Sequence, residues 1–371
     1  MSANKYLAWD MLVTAAYQDE RREQGNFQAS MRKAIKNPLE HISENNFIKE
    51  YRLNKEAFEN LCQCLRNFTD LKSTQRVSLK SKVLCALHFY AHGSYQRITG
   101  KANHFSQEAM SVYVEEVTTA LNHPNISNRF IKFPTTRQER NGIKQSFFSK
   151  YGIPGVIGCV DGSHFKIFTP CKETEHLYFC RKHYHSINVQ MVCDLNCSIL
   201  SVNAKFGGAT HDSFIWENSS INDYMQFLHR HNEIVWLLGD SGYGQRPWLM
   251  TPYLNPAHNS TEETFNAAHT SARVVIENTF GRLKNRWRCL HKDRTLHYKP
   301  EKCSRIIIGC CVLHNLALKY NIPDPEEEIV IEEPQEPFER HEMVLENDGA
   351  SNLIMGRVLR DQLARRLATR G

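Results

Sequence analysis

Two short, unbroken apolar runs, Val156 to Val160 and Ile234 to Leu238, limit what this chain can fold into more than any other feature. Five apolar residues without polar alternation describe a strand covered on both faces, the setting of adjacent central strands in a mixed sheet. Between them, Ile187, Val189, Met191 and Cys193 alternate with polar residues, and so do Leu200, Val202, Ala204 and Phe206, which predicts two further strands. Ser213 to Arg230 has helical periodicity, a long amphipathic helix is predicted over Ala267 to Leu290, and an apolar helix over Cys303 to Tyr320. Thr135 to Lys150 reads as a polar, basic connection. The order of three strands, helix, strand, helix gives an α/β fold with a mixed sheet and flanking helices.

Upstream, Asn45 to about His123 is helical in pattern. Leu79, Val83, Leu87 and Tyr90 step at helical spacing and stop at Gly93; a short segment from Ser94 to Lys101 follows, and Ser106 then precedes Met110, Val114, Val117 and Leu121. Two helices flanking a short one outline a helix-turn-helix-like unit. Lys72, Arg76, Lys80, Lys82, Arg97 and Lys101 occur there with no acid between Asp70 and Glu108, a basic face suited to DNA. A plain helical bundle with a solvated basic face has the same pattern. The chain thus divides into an N-terminal segment (1–44), a helical helix-turn-helix-like domain (45–134), an α/β domain (135–320), an acidic linker (321–350) and a basic amphipathic helix (351–371).

Charge is distributed unevenly over the 371 residues. Lys and Arg outnumber Asp and Glu by 22 to 14 in residues 1–150 and by 18 to 14 in 151–320, whereas 321–371 carries 6 against 12. A basic body suits a polyanionic partner, because neutralised phosphates release counterions. Asp324 to Asp348 holds eleven acidic residues and several prolines, a composition that favours disorder. The helix from Leu353 onward either docks a partner or covers the body. No apolar stretch is long enough to span a membrane, the start does not read as a signal peptide, and the twelve cysteines lack the spacing of a secreted disulfide framework. Those readings predict an intracellular protein with reduced thiols.

The apolar runs end in GCVDGSH and LLGDSGY, which puts Asp161 and Asp240 immediately after their strands. Ligands of open sheets bind beyond the carboxyl ends of parallel strands, so these two carboxylates are predicted to converge. One strand-end aspartate is commonly just a turn residue; two in matching places point to a site. The third acid is Glu277 in ARVVIENTFGRLKNRWRCL. There Ile276, Phe280, Leu283, Trp287 and Leu290 define the buried face, and Glu277 lies beside it in a row with Arg273, Gly281, Lys284 and Arg288. That edge could offer a carboxylate to a metal, with Arg273, Arg282, Lys284 and Arg288 as DNA-contact candidates. An Arg273 to Glu277 salt bridge on a solvated face is the alternative. Asp212, in GGATHDSF, either starts a helix or joins the acidic cluster. Hard oxygen ligands of this kind suit Mg²⁺ or Mn²⁺, and a pair of such ions can activate a nucleophile and neutralise the leaving oxygen of a phosphodiester.

The blocks GCVDGSH, HSINVQMVCD, GGATHDS, GDSGY with WLMTPYLNP, FNAAHTSARVVIENTFGRLKNRWRCL and CCVLHNLAL, from about Val156 to Leu318, resemble the PIF/Harbinger-type transposase-derived nucleases of the DDE endonuclease superfamily. The helical part resembles them more loosely. The resemblance implies an RNase H-like fold in which Asp161, Asp240 and Glu277 are the catalytic acids and Asp161, Asp212, Asp240 and Glu277 hold a divalent metal cation. It also implies a nuclear setting, with the cytoplasm as a second location, and a separate Myb/SANT-like DNA-binding partner protein. An assembly of two or more copies follows from the need to hold two DNA ends. Gly244 stands where the family often has proline, a departure outside the acidic residues. The competing reading is a domesticated, non-catalytic DNA-binding or assembly protein on the same scaffold. A third, an RNase H-type RNA hydrolase, differs in substrate.

Other titratable residues carry weaker signals. Cys171, Cys180, His183 and His185 cluster in sequence, but without paired CxxC spacing they read as core and loop residues rather than zinc ligands. His314, on an apolar helix, reads as a hydrogen-bonded core histidine. His164 and His211 stand beside Asp161 and Asp212 and could line the site.

Overall fold

Helices and strands alternate along residues 38–93, 106–325 and 347–369, which the computed structural model describes. The helical region comprises α1 (Glu44–Tyr51), α2 (Lys55–Phe68), α3 (Leu79–His92), α4 (Gln107–Leu121) and α5 (Pro124–Phe130). Next come α6 (Arg137–Tyr151), β1 (Val156–Lys166), β2 (Ser186–Cys193), β3 (Ile199–Gly207), α7 (Asp212–Glu217) and α8 (Ser220–Arg230). β4 (Trp236–Leu238), β5 (Leu249–Met250), α9 (Thr261–Arg286), α10 (Pro300–Lys319) and α11 (Asn347–Ala368) follow, and single helical turns stand at Pro38–His41 and Glu175–Tyr178.

The sheet runs β3-β2-β1-β4-β5. β1 pairs antiparallel with β2, and β2 with β3, whereas β4 lies parallel to β1 and β5 parallel to β4. The two apolar runs are therefore adjacent central strands, as predicted. This is a mixed α/β sheet flanked by helices, consistent with an RNase H-like fold, and a helical region precedes it. Of the helix-turn-helix-like outline, α3 and α4 are present; the short segment from Ser94 to Lys101 lies outside the described residues.

Several boundaries differ from the sequence reading. β1 does not stop at Val160 but continues to Lys166, so Asp161 sits inside the strand, opposite Met191. From Cys159 onward every second residue of β1 meets α9: Cys159 Sγ reaches the Ala272 carbonyl, Asp161 meets Arg273, Ser163 meets Lys284, and Phe165 lies against Phe280. Polar side chains that would end a solvent-facing strand are held here by helical partners. The segment read as a connection from Thr135 to Lys150 is largely α6, started by a reciprocal Thr136–Glu139 capping box. Ser213 to Arg230 is two helices, because the Ser219 side chain accepts from the Asn222 amide and begins a new one. The long helix starts early, at Thr261, capped by Ser260, and ends at Arg286 before a 3-10 turn over Arg288–Leu290.

One continuous core joins the helical region to the sheet. Tyr90 of α3 packs edge-on against Trp287, and the Asn122 amide donates to the Arg305 carbonyl of α10 at 2.8 Å. Asn315 of α10 donates to Phe130 and Ile199 carbonyls and accepts from the Ile199 amide, so one buried side chain ties α5 to β3. A second, smaller core under the opposite sheet face gathers Ile157, Val160, Trp216, Met225 and Trp248. α11 covers the body: Leu363 and Ala364 are buried, and Arg360 donates to the Thr251 and Pro252 carbonyls while stacking 3.9 Å from the Tyr253 ring. No helix among the described residues is long and apolar enough to cross a membrane.

Candidate active site

Asp161 is positioned by β1, Asp212 by the start of α7 after β3, and Asp240 by the turn after β4. Each is only partly exposed. The Gly162 amide donates to Asp161 Oδ1 at 2.9 Å, and the Gly242 amide donates to Asp240 Oδ1 at 3.0 Å. Asp212 Oδ1 accepts from Asn188 Nδ2 at 2.6 Å. Gly162 leaves room for that carboxylate: a Cβ there would lie 2.2 Å from Asp212 Oδ1. Glycine at 162 is thus required by close approach rather than by a turn.

The three aspartates feel one another. Burial, opposed by the Arg273 guanidinium and reinforced by Asp240 and Asp212, pushes the Asp161 carboxyl up to about 7. Burial raises Asp212 to about 6, with the Asn188 hydrogen bond opposing it and Asp240 adding to it. Desolvation and like charge together disfavour the ionised forms, the electrostatic state that a bound cation relieves.

Glu277 lies farther out, with its side chain 53% exposed. Asp161 Oδ2 is 2.6 Å from Arg273 Nη2, and Glu277 Oε1 is 4.0 Å from the same nitrogen. Arg273 and Glu277 thus face each other along the helix, as the salt-bridge alternative has it, and the same guanidinium draws in Asp161. The carboxylates do not close to within 4.8 Å of one another as a triplet.

The donor set fits a hard divalent cation. The residues are carboxylates, the medium is poorly solvated, and the Asn188 side-chain oxygen beside Asp212 is buried without a hydrogen-bond partner. An acceptor left over beside three crowded acids is what a cation or its water would use.

The proposed DNA-facing cations are placed differently from one another. Lys284, expected on the exposed edge, is buried; it donates to Ser163 Oγ at 2.9 Å and stands over the Phe165 ring at 4.7 Å. Lys284 thus belongs to the β1–α9 contact, where Ser163 and Phe165 of the strand enclose it. Arg282 pairs with Asp324 at 2.7 Å, and Arg273 is committed to Asp161. Arg288, in the 3-10 turn, is partly exposed. In the helical region, Lys82 is buried against Glu116 and Lys80 pairs with Glu59, so acids distant in sequence neutralise part of the basic face. Arg97 and Lys101 lie outside the described residues.

Four contributors carried no signal strong enough to find. Exposed Arg181 lowers Asp212 and His211 electrostatically. Asn188 and Gln190 occupy alternate positions of β2, and Gln190 donates to the buried Tyr243 hydroxyl at 3.4 Å. Tyr243 follows Asp240 by three residues, and the three aspartates help hold its hydroxyl protonated after burial has raised it. Polar residues inside an otherwise buried strand were the available clue. His211 caps α7 by accepting from the Ser213 amide, and burial lowers it. His164 bonds Ser186 Oγ at 3.0 Å. Near the first strands, His185 pairs with Glu175 while Cys180 is buried and Cys171 exposed. His314 is a fully buried core histidine on the Cys197 carbonyl, 2.9 Å away, as its apolar helix predicted.

Residues 160–315 match the family described as DDE superfamily endonuclease, and residues 10–123 match a domain of unknown function. The chain is 38% identical to the protein named "Putative nuclease HARBI1" of Bos taurus over 76% of its length and 82% of the relative's, and equally similar to the Homo sapiens protein of that name. It is 25% identical to Antagonist of Like Heterochromatin Protein 1 of Arabidopsis thaliana over 72% of each chain. No solved structure matches.

Proposed function

The chain belongs to the DDE endonuclease superfamily, on its Harbinger transposase-derived branch, and from that premise we propose that it cleaves phosphodiester bonds of DNA with a divalent metal held by Asp161, Asp212 and Asp240. The observation that carries this reading is the crowding of Asp161, Asp212 and Asp240 at one sheet edge, where the lack of a side chain at Gly162 leaves room for Asp212 beside β1 and the two other aspartates raise Asp161. When bound, Mg²⁺ or Mn²⁺ supplies the charge that activates the attacking oxygen and stabilises the leaving one.

The protein's own groups do the rest. Asp161, Asp212 and Asp240 provide oxygen ligands from three segments that the sheet brings to one edge. Glu277 is the fourth acid, supplied by a helix that packs along β1. Arg273 holds Asp161 while that carboxylate is crowded by like charge. Arg181, which is exposed, and Arg288, which is partly exposed, are the cations this reading assigns to a phosphate backbone. The same reading carries a nuclear setting, a Myb/SANT-like DNA-binding partner, and an assembly of two or more copies to hold two DNA ends; strand transfer after cleavage is the further step it allows.

Incubating the purified chain with duplex DNA and Mg²⁺ or Mn²⁺ tests the assignment. Cleavage should fall about 100-fold or more in Asp161→Ala; equal cleavage by both proteins refutes it. The Arg273–Asp161 pair and the outlying Glu277 favour a second reading, a non-catalytic DNA-binding or assembly protein. A relative named for antagonism of a heterochromatin protein is compatible with that role. DNA retention without metal-dependent cleavage, under all tested divalent ions, selects it.

A further inference from the structure

The helical region holds a cluster of ligand-type side chains that the acidic site does not use. His88 and His92 are four residues apart on α3, so both rings lie on one face, with centroids 4.3 Å apart. Glu50 faces them from α1. Its Oε2 lies 3.5 Å from His88 Nε2 and 3.2 Å from His92 Nε2. Among the described residues this is the triplet whose donor atoms all fall within 4.8 Å of one another.

The spacing is informative. A charge-assisted N–H···O bond closes to about 2.7–2.9 Å. Donors about 2.0–2.2 Å from a tetrahedral ion are instead about 3.3 Å apart, between the two observed distances. His92 Nε2 is buried and makes no hydrogen bond of adequate geometry, although Glu50 is its neighbour. A proton-only arrangement asks both rings to aim an N–H at a single oxygen. One cation would use both imidazole lone pairs and the carboxylate together. Two imidazoles and one carboxylate suit zinc and not the hard-oxygen preference of Mg²⁺. The side chains are 16%, 30% and 47% exposed for His88, His92 and Glu50, so an ion can enter and a water can complete its shell.

We propose that Glu50, His88 and His92 form a zinc site, with water as fourth ligand, that staples α1 to α3. The site stands one residue from Gly93, whose φ of +60° ends α3 and whose Cα abuts the 3-10 turn so closely that a Cβ would lie 2.7 Å from the Arg288 carbonyl oxygen. Zinc there stiffens the junction between the helical region and the end of α9, the helix that bears Glu277.

The full chain, stripped with chelator and dialysed against zinc, should retain about one zinc per molecule by elemental analysis. His88→Gln/His92→Gln should retain almost none, and Asp161→Ala should retain it fully, which separates this site from the nuclease reading. Zinc should raise the thermal midpoint of the wild type by several degrees and leave the double variant unmoved. Cobalt substituted into the wild type should give the intense visible absorption of a four-coordinate ion. That measurement needs no variant, so misfolding of the substituted chain leaves the test intact. Zinc content no higher in the wild type than in the double variant, or a weak six-coordinate cobalt spectrum, overturns the proposal.

Discussion

At residue 161 a carboxyl group trades stability for binding. Its pKa in the folded chain is raised to about 7 from an ordinary value near 3.8, so between those limits the folded form holds a proton that the unfolded form has released. The stabilising contribution is complete below pH 4 and is lost as pH rises through about 7. Metal-free Asp161→Asn should therefore gain thermal stability relative to wild type as pH is raised from 5 to 8, by several degrees across the series in calorimetry. A difference that stays flat with pH removes the buried-acid account. Saturating Mn²⁺ should stabilise the wild type and not the variant. Gly162→Ala probes the same crowding from the other side. With a Cβ 2.2 Å from Asp212 Oδ1, the carboxylate has to move, and cleavage should fall about 10-fold or more while circular dichroism is unchanged.

Elements show how far sequence reasoning reaches. Strands β1 and β4 were legible as neighbours because continuous apolar runs report burial on both faces, and the core face of α9 was legible because Ile276, Phe280 and Leu283 repeat at helical spacing and are buried. Partners were not. Lys284 looked like an exposed cation beside Glu277, and nothing local shows that Ser163 and Phe165, more than a hundred residues away, enclose it. Asp161 looked terminal because its strand turns polar where α9 supplies the partners. A lone histidine on an apolar helix has to satisfy its ring inside the core, which is what makes the place of His314 legible from its neighbours. Burial holds it near 4, so it stays neutral in the folded chain. Its stabilising contribution is present above about 6.5 and is lost as pH falls through 4. His314→Gln keeps a donor for the Cys197 carbonyl. The substitution should lower stability at pH 7 by about 1–2 kcal/mol and flatten the loss between pH 6.5 and 4 in denaturant titrations.

For the whole molecule, the open question in the sequence was whether the terminal basic helix covers the body or waits for a partner. Its apolar residues fit either role, and residues 326–346 of the acidic stretch before it lie outside the described residues. The docked position of α11 answers through contacts that no periodicity encodes. Gln245, five residues after Asp240, donates to the Gly356 carbonyl at 3.0 Å while its oxygen accepts from the Thr251 amide and hydroxyl. Gly356 passes so close to the Arg246 backbone that a Cβ would lie 2.7 Å from it. The helix therefore braces the loop that carries Asp240 as well as covering apolar surface. Removing residues 347–371 exposes the ground beneath Leu363 and Ala364, ends the Arg360 stack on Tyr253, and takes the Gly356 carbonyl away from Gln245. A loss of about 4 kcal/mol or more is expected. Arg360→Ala alone should cost about 2 kcal/mol. If α11 is a brace, truncation should also reduce cleavage about 10-fold at temperatures where the shortened chain is still folded, because Asp240 loses its fixed position. If α11 is a detachable docking arm, the melting temperature and the cleavage rate of the truncated protein will match those of the full chain.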